Sequence, residues 1–439
     1  MPRLRPLLLT LIVVSACASG PGGGDSTGGA PGTGGDGSGG SSGGTIGTGG
    51  LATGGGGSGG FGSGGLGTGG VSTGGASGKG GGGGAVVGSG GVSGRGGGGS
   101  GGMAAAGGRG TAGTGGGQTG GTGGATAMGP CDIFASANAP CVAAHSTVRA
   151  LFGAYSGSLY QVRRASDSTT MDIGVLEPGG FADAASQDTF CAGTTCVISI
   201  IYDQSGKKNH LTKAPGGGAK SSGDNEASAT ALKLTVGGHT VYGVHIPAGV
   251  GYRNDKTSGI ATADQPETEY MVTSGTYVNS GCCFDYGNAE TDNHDDGAGT
   301  MEAVYFGTST GWGKGAGSGP WVMADLENGL FAGQSTAANS KNTPITSAYV
   351  TALVKGRSGS FALKGGNAQA DNLTTFYDGN RPSGYNPMKK QGAIILGIGG
   401  DNSNSAQGNF FEGVMTAGAS TDPADDAVQA NIVAAGYGK

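Results

Sequence analysis

An all-β sandwich behind a long glycine-rich segment is the fold class the sequence predicts, and three observations predict it. First, 59 of the 104 glycines in the 439 residues fall between Ala18 and Gly129, separating a low-complexity stretch from a more ordinary remainder, Pro130–Lys439. Second, short β-branched and aromatic runs recur through that remainder, with Gly, Asn, Asp or Pro between them. Third, helical periodicity is scarce there and confined to His145–Tyr155, Ala182–Phe190 and Ala424–Ala435. Many short strands with few helices argue for two packed sheets.

The N-terminus comes first in chain order. Arg3 and Arg5 precede an apolar run, Leu7–Val14, interrupted only by Thr10 and followed by Ser15-Ala16-Cys17. This pattern predicts a secretory signal over residues 1–16. A Cys directly after small residues resembles a bacterial lipobox, so residues 17–129 are expected to start at a lipidated Cys17. Ala18 in the next position points to the outer membrane and cell surface. A plain signal peptide with a chance Cys is the alternative. Ala18–Gly129 has too few bulky residues to offset its ordering entropy, so a disordered tether is expected. It has no strict G-X-Y period, which excludes collagen. No apolar run reaches the roughly 18–20 residues of a spanning helix.

Pro130–Lys439 carries 19 Lys and Arg against 28 Asp and Glu, with no basic cluster. Such a domain is a poor partner for nucleic acid or an anionic membrane surface, and suits a neutral ligand such as a sugar. Membrane contact is expected through the lipid anchor only, and the domain is expected to be a monomer.

The strand signals run Ser158–Arg163, Cys196–Tyr202 with a turn at Asp203–Gly206, Thr240–Ile246, Met301–Phe306, Trp321–Glu327, Tyr349–Val354 and Gly392–Ile398. Setting Cys17 aside leaves six cysteines, which allow fifteen connectivities. Cys131 and Cys141 bracket a ten-residue loop, Cys191 and Cys196 a shorter one, and Cys282 and Cys283 are adjacent. Spacing alone leaves the adjacent pair open between a mutual bond and two free or separately bonded thiols. There is no C-x-x-C pair and no His at ligand spacing from a Cys, so neither metal nor cofactor is expected.

Two stretches carry candidate chemistry. In Trp321-Val-Met-Ala-Asp-Leu-Glu327, strict alternation places Trp321, Met323, Asp325 and Glu327 on one face and Val322, Ala324 and Leu326 on the other. In Gly399-Gly400-Asp401-Asn402, two glycines permit close approach of a ligand and then present a carboxylate at a strand end. An Asx-turn closing a hairpin is the structural reading of Asp401. Two carboxylates from different strands are what a glycosidase requires. The five His and the scattered Ser show no triad spacing, and His210 reads as structural.

Several segments carry a family resemblance: Pro130-Cys-Asp-Ile-Phe134, Cys141-Val-Ala-Ala-His145, Leu159-Tyr-Gln-Val-Arg163, Ile201-Tyr-Asp-Gln-Ser205, Gly281-Cys-Cys-Phe-Asp-Tyr-Gly-Asn-Ala-Glu290, Met323-Ala-Asp-Leu-Glu-Asn328 and Gly392–Asn404. Together they resemble the catalytic domain of glycoside hydrolase family 54 α-L-arabinofuranosidases over essentially all of Pro130–Lys439. The resemblance implies a jelly-roll or concanavalin-like β-sandwich. It implies exo-acting, retaining removal of terminal arabinofuranosyl groups from arabinoxylan and arabinan of plant cell walls, with some action on β-xylosides. Carried over, the nucleophile falls on Glu327 and the acid/base on Asp401. Substrate contacts fall on Asp325, Asn328 and Gly400, with Trp312 a wall. Disulfides fall on Cys131–Cys141, Cys191–Cys196 and Cys282–Cys283, the last lying under the sugar. Gly329 stands where some relatives have a second Asn, which puts one sugar contact in doubt. Fungal members continue into an arabinose-binding β-trefoil, whereas the sequence here stops at Lys439. A surface lectin on the same sandwich is the rival, and a structural protein acting through its glycine-rich arm is the other.

Overall fold

Two antiparallel sheets pack face to face in this computed structural model, which describes residues 128–370 and 372–439. The expected signal, Cys17 and the glycine-rich segment up to residue 127 lie outside the described residues. One sheet runs Cys141–Ser146, Gly408–Thr416, Glu267–Thr273, Val350–Arg357, Ser360–Asn367, Thr374–Asn380, with Val244–Ile246 also pairing to Gly408–Thr416. The ten-stranded sheet runs Leu330–Phe331, Trp321–Asp325, Glu302–Gly307, Asp285–Ala289, Ala393–Leu396, Tyr252–Asn254, Leu211–Lys213, Cys196–Ile201, Ser158–Arg164, Thr170–Gly174. The all-β sandwich expectation holds.

Alternation along the strands sorts side chains between two environments. Val304, Phe306, Val322, Ala324 and Leu326 face the other sheet and meet Val350, Ala352, Val354 and Leu363 in the main core. The opposite set, Tyr305, Trp321 and Met323, enters a second apolar cluster with Cys283, Leu330 and Ala332. That smaller cluster underlies the site described below.

The helices over Ala184–Phe190 and Asp422–Ala435 are present, and Pro130–Ser136 is a further one. Asp183 caps the first by accepting the Ser186 N–H, and Thr421 caps the second by accepting the Ala424 N–H. The helix expected over His145–Tyr155 does not form. His145 and Ser146 instead end the buried strand Cys141–Ser146 on Gly408–Thr416, and residues 147–155 follow as bends and turns with a single bridge from Arg149 to Phe181, because the apolar side chains there pack without a helical hydrogen-bond ladder. The strand expected over Thr240–Ile246 breaks at Gly243. His239–Tyr242 pairs with Lys233–Val236, while Val244–Ile246 joins the larger sheet. A side chain at residue 243 would strike Leu232 and Phe411 at 2.8 Å. All three disulfides form on the expected pairs: Cys131–Cys141, Cys191–Cys196 and Cys282–Cys283.

A buried ionic network links the sheets. Lys390 Nζ lies 2.6 Å from Glu267 and 2.8 Å from Glu302, and Arg381 Nη1 lies 2.9 Å from Glu302. Burial opposes the Glu302 charge, but Lys390 and Arg381 outweigh it and hold its carboxyl down at about 2.

Candidate active site

A pocket of about 600 Å³ opens on the side of the ten-stranded sheet that faces away from the main core. Its first wall is the Trp321–Asp325 strand and the turn that follows. Asp325 ends the strand, and its Oδ1 accepts the Glu327 N–H at 3.1 Å. Glu327 is not on the strand, which corrects the expected alternation. The Leu326 N–H bonds to the Gly329 carbonyl, and Glu327 and Asn328 both take left-handed backbone, with φ of 59° and 55°. This is the mirror-image two-residue turn that matches strand twist. Left-handed backbone at a non-glycine residue costs on the order of 1–3 kcal/mol and persists where the surroundings enforce it. Gly329 has a packing reason to be glycine: a Cβ there would collide with the Phe331 ring and approach the Tyr385 hydroxyl at 3.1 Å.

The second wall is the loop after Ala393–Leu396. The Gly399 N–H bonds Ser403 O at 2.9 Å, and Asp401 Oδ1 accepts the Ser403 N–H at 2.9 Å. Asp401 is thus in an Asx-type turn and also lines the pocket. Gly400 is pressed against the neighbouring acids: a Cβ there would overlap the Glu290 carboxyl and lie 3.1 Å from Glu327 Oε2. Arg253, fully buried on the Tyr252–Asn254 strand, donates to Gly400 O at 2.6 Å, to Glu290 O and to the Asp255 carboxylate. The glycine-rich stretch 216–219 closes a third side, with the Ala219 N–H on Asp401 O at 2.9 Å and the Gly218 N–H on Asn293 O at 2.8 Å. Lys220 is the cation at the rim of this pocket.

All nine residues expected at the site line this one pocket: Asp325, Glu327, Asn328, Gly329, Gly400, Asp401, Cys282, Cys283 and Trp312. Trp312 and Cys282 are half-buried against the apolar cluster beneath. Cys282, Cys283 and Asp325 also bring three ligand-type atoms together, but both sulfurs are spent in the disulfide and leave no thiolate for a metal. Of the histidines singled out, His210 Nδ1 accepts the Asp203 N–H at 2.9 Å, away from the pocket.

Sequence reasoning missed Asp285, Glu290, Asp295, Arg253 and Lys220. Asp285 and Glu290 lie in the quoted Gly281–Glu290 stretch, flanking a strand, and two acids so placed were an available signal. Arg253 carried none. Burial and charge now explain what these acids do to one another. Asp285 is fully buried, and with Asp325 ionised the two carboxyls can hydrogen-bond only if one keeps a proton. Burial, reinforced by Asp325, pushes the Asp285 carboxyl far up. Asp325 is raised to about 7 by burial, against which the hydrogen bond from Asp285 works. Glu327 is pushed up to about 11, first by burial and then by Glu290, Asp325, Asp295 and Asp401 around it. Glu290 is raised by burial, although Thr300 Oγ1 donates to it at 2.5 Å. Burial and mutual repulsion therefore favour fewer charges than carboxyls in this pocket.

Residues 130–438 match the family model for the catalytic region of alpha-L-arabinofuranosidase B. The chain is 59% identical over 317 residues to the alpha-L-arabinofuranosidase B of Aspergillus oryzae, and equally so to the alpha-L-arabinofuranosidase of Hypocrea jecorina. Each match covers 71% of this chain and 63% of the relative, so the chain spans less than two thirds of these relatives' length. A solved GH54 α-L-arabinofuranosidase soaked with a cyclic sulfate inhibitor superposes with a TM-score of 0.70 at 56% identity. It covers 71% of this chain and 66% of that one. An arabinofuranosidase complexed with arabinofuranosyl-alpha-1,2-xylobiose gives 0.69 with the same identity and coverage. These relatives correct the expected localisation. They come from fungi, whose cells have no bacterial outer membrane for a lipid anchor to enter. That expectation rested on Val14–Cys17 and an odd cysteine count, weak signals that lie outside the matched residues.

Proposed function

The chain belongs to the alpha-L-arabinofuranosidase B catalytic family, and from that premise we propose that it is a retaining, exo-acting α-L-arabinofuranosidase. Its substrates are arabinose side groups on plant cell-wall arabinoxylan or arabinan. The observation that carries the reading is the convergence of Glu327 and Asp401, from two separate strand ends, on one pocket with an apolar floor. The solved relative with arabinofuranosyl-alpha-1,2-xylobiose supports the substrate class.

In this reading Asp401 gives a proton to the leaving glycosidic oxygen while a Glu327 oxygen bonds the anomeric carbon. Water then cleaves the glycosyl ester, with Asp401 taking its proton. Cys282–Cys283 and Trp312 form a platform for the sugar ring, and Asp325, Asn328 and the Gly400 backbone orient its hydroxyls. Aryl β-xylosides are a secondary substrate. We place this chemistry in residues 130–439 and assign residues 17–129 no more than a spacer role. Three disulfides fit an oxidising compartment, and residues 1–16 serve as a secretory signal.

The test is hydrolysis of an aryl α-L-arabinofuranoside, with the anomer of the first product read by NMR. Turnover with retention supports the reading. Sugar binding without turnover makes the chain a lectin, and inversion removes the covalent intermediate.

A further inference from the structure

Glu327 presents a difficulty. A nucleophilic carboxylate must be charged when it attacks, yet four other acids crowd it and none of its described neighbours is a cation in contact with it. Asp325 ends the strand just before its turn, Asp295 lies on the loop bonded to Asn328, Asp401 on the facing loop, and Glu290 behind Gly400. Asp285 stands behind Asp325, and the Tyr385 hydroxyl approaches the same turn. Arg253 favours the Glu290 charge without pairing with it, and its donors, like that of Lys220, are taken up elsewhere. Arg253 spends its guanidinium on two backbone carbonyls and Asp255, and Lys220 lies 3.5 Å from Asp224.

Glu290 differs from the other acids. It is buried completely, and its oxygen Oε2 has no hydrogen-bond partner among the described residues. Its other oxygen is occupied by Thr300 Oγ1 at 2.5 Å, which fixes the carboxyl plane. Gly400, kept free of a side chain, lets Oε2 and Glu327 Oε2 approach the same space. A Cβ at Gly400 would lie 2.1 Å from Glu290 Oε2 and 3.1 Å from Glu327 Oε2, so the two carboxyls share one small buried space, and like charges that close are relieved when one carboxyl holds a proton.

We propose that Glu290 is a positioning residue that accepts the proton held by Glu327, so that the nucleophile becomes charged without any proton leaving the pocket. The inference rests on the assignment of Glu327 above. The O–H bond on Glu327 breaks and one on Glu290 forms, and the pair keeps a single negative charge throughout. Positive charge developing at the anomeric carbon draws that negative charge onto Glu327. Once the glycosyl ester has formed, Glu290 keeps the proton and donates it to the ester oxygen. Hydrolysis returns the pair to its starting state.

The pH profile of kcat/KM of Glu290→Gln tests this, measured on an activated aryl arabinofuranoside that needs little protonation. Gln keeps the shape and the bond from Thr300, but offers Glu327 only a neutral N–H, a weaker donor than a carboxyl O–H. The acidic limb should therefore move up by roughly one pH unit, with kcat falling more than KM changes. If Glu290 were simply an ionised structural acid, its removal would relieve repulsion and the limb would move down. A downward shift or an unmoved limb overturns the proposal. Glu290→Asp should restore part of the wild-type limb, and failure to do so also counts against it. Thermal unfolding of each variant separates misfolding from chemistry. Glu327→Gln serves as the independent control: if it retains turnover, the nucleophile assignment fails whatever Glu290→Gln does.

Discussion

Two groups of buried acids in this molecule differ in one respect. Between the sheets, Lys390 bridges Glu267 and Glu302, and Arg381 pairs with Glu302 alone, at 2.6–2.9 Å; Glu302, with two cations, is held at about 2, whereas burial still raises Glu267, with one, to about 7. In the pocket, Asp285, Glu290, Asp325 and Glu327 are also buried and none of them has an ion pair, and Asp325 and Glu327 rise to about 7 and 11. The same side chains therefore do opposite work. Where two cations meet one acid, as at Glu302, ionisation joins two sheets. Where they do not, the site stores protons, which is the arrangement acid and base chemistry needs.

The comparison breaks most visibly at Glu327. Replacing it with Ala should lower turnover on every substrate by on the order of 10⁴-fold or more, with no loss of melting temperature. Rates on natural and aryl arabinosides check this, and a loss confined to one class would contradict it. Asp401→Ala should cost about 10²–10⁴-fold on natural arabinosides and far less on substrates with a good leaving group. Azide should restore this variant on the activated substrate with unchanged anomeric configuration. An inverted azide product from Asp401→Ala, with a retained one from Glu327→Ala, would exchange the two assignments.

The inter-sheet network should fail differently. Lys390→Met leaves Glu267 and Glu302 under-compensated, a loss of about 3–5 kcal/mol in denaturant titration, while the acidic limb of the pH–rate profile stays in place. A shifted limb would mean that the two regions are electrically joined.

The smallest effect sharpens the contrast through pH. Glu302, with its carboxyl depressed, contributes stability that is present above its ordinary value of 4.5 and lost as pH falls towards 2. Asp325, raised from 3.8 to about 7, contributes stability present below 3.8 and lost as pH rises through 7. Asp325→Asn should therefore gain about 2–4 °C in melting temperature at pH 8, the response to about 1 kcal/mol, and nothing at pH 4. Scanning calorimetry at both pH values decides it, and equal shifts would remove the charge explanation.

Much of this was legible in the sequence. Alternation in Trp321–Leu326 assigned Val322, Ala324 and Leu326 to the core, because a period of two leaves no choice once one face is apolar. Gly399 and Gly400 were visible as a glycine pair presenting Asp401, and in the structure a side chain on either would strike Ser403 or the Glu290 carboxyl. The adjacent cysteines were open by spacing and closed by the structure. Other features were not legible. The split at Gly243 depends on Leu232 and on Phe411, the latter remote in sequence. The buried strand at Cys141–Ser146 depends on a partner some 270 residues away.

By itself, then, the sequence determined the fold class, the two carboxylates and the apolar floor, since these follow from local period, turn residues and motif. Tertiary structure alone decided that Glu327 leaves its strand through a left-handed turn, that Arg253 ties the Glu290 and Gly400 segments together, and that Glu290 meets Glu327 with no cation between them. The reason is physical. A hydrophobic pattern acts between near neighbours along the chain, whereas the charge on a buried acid is set by whatever the folded chain brings within a few ångströms of it.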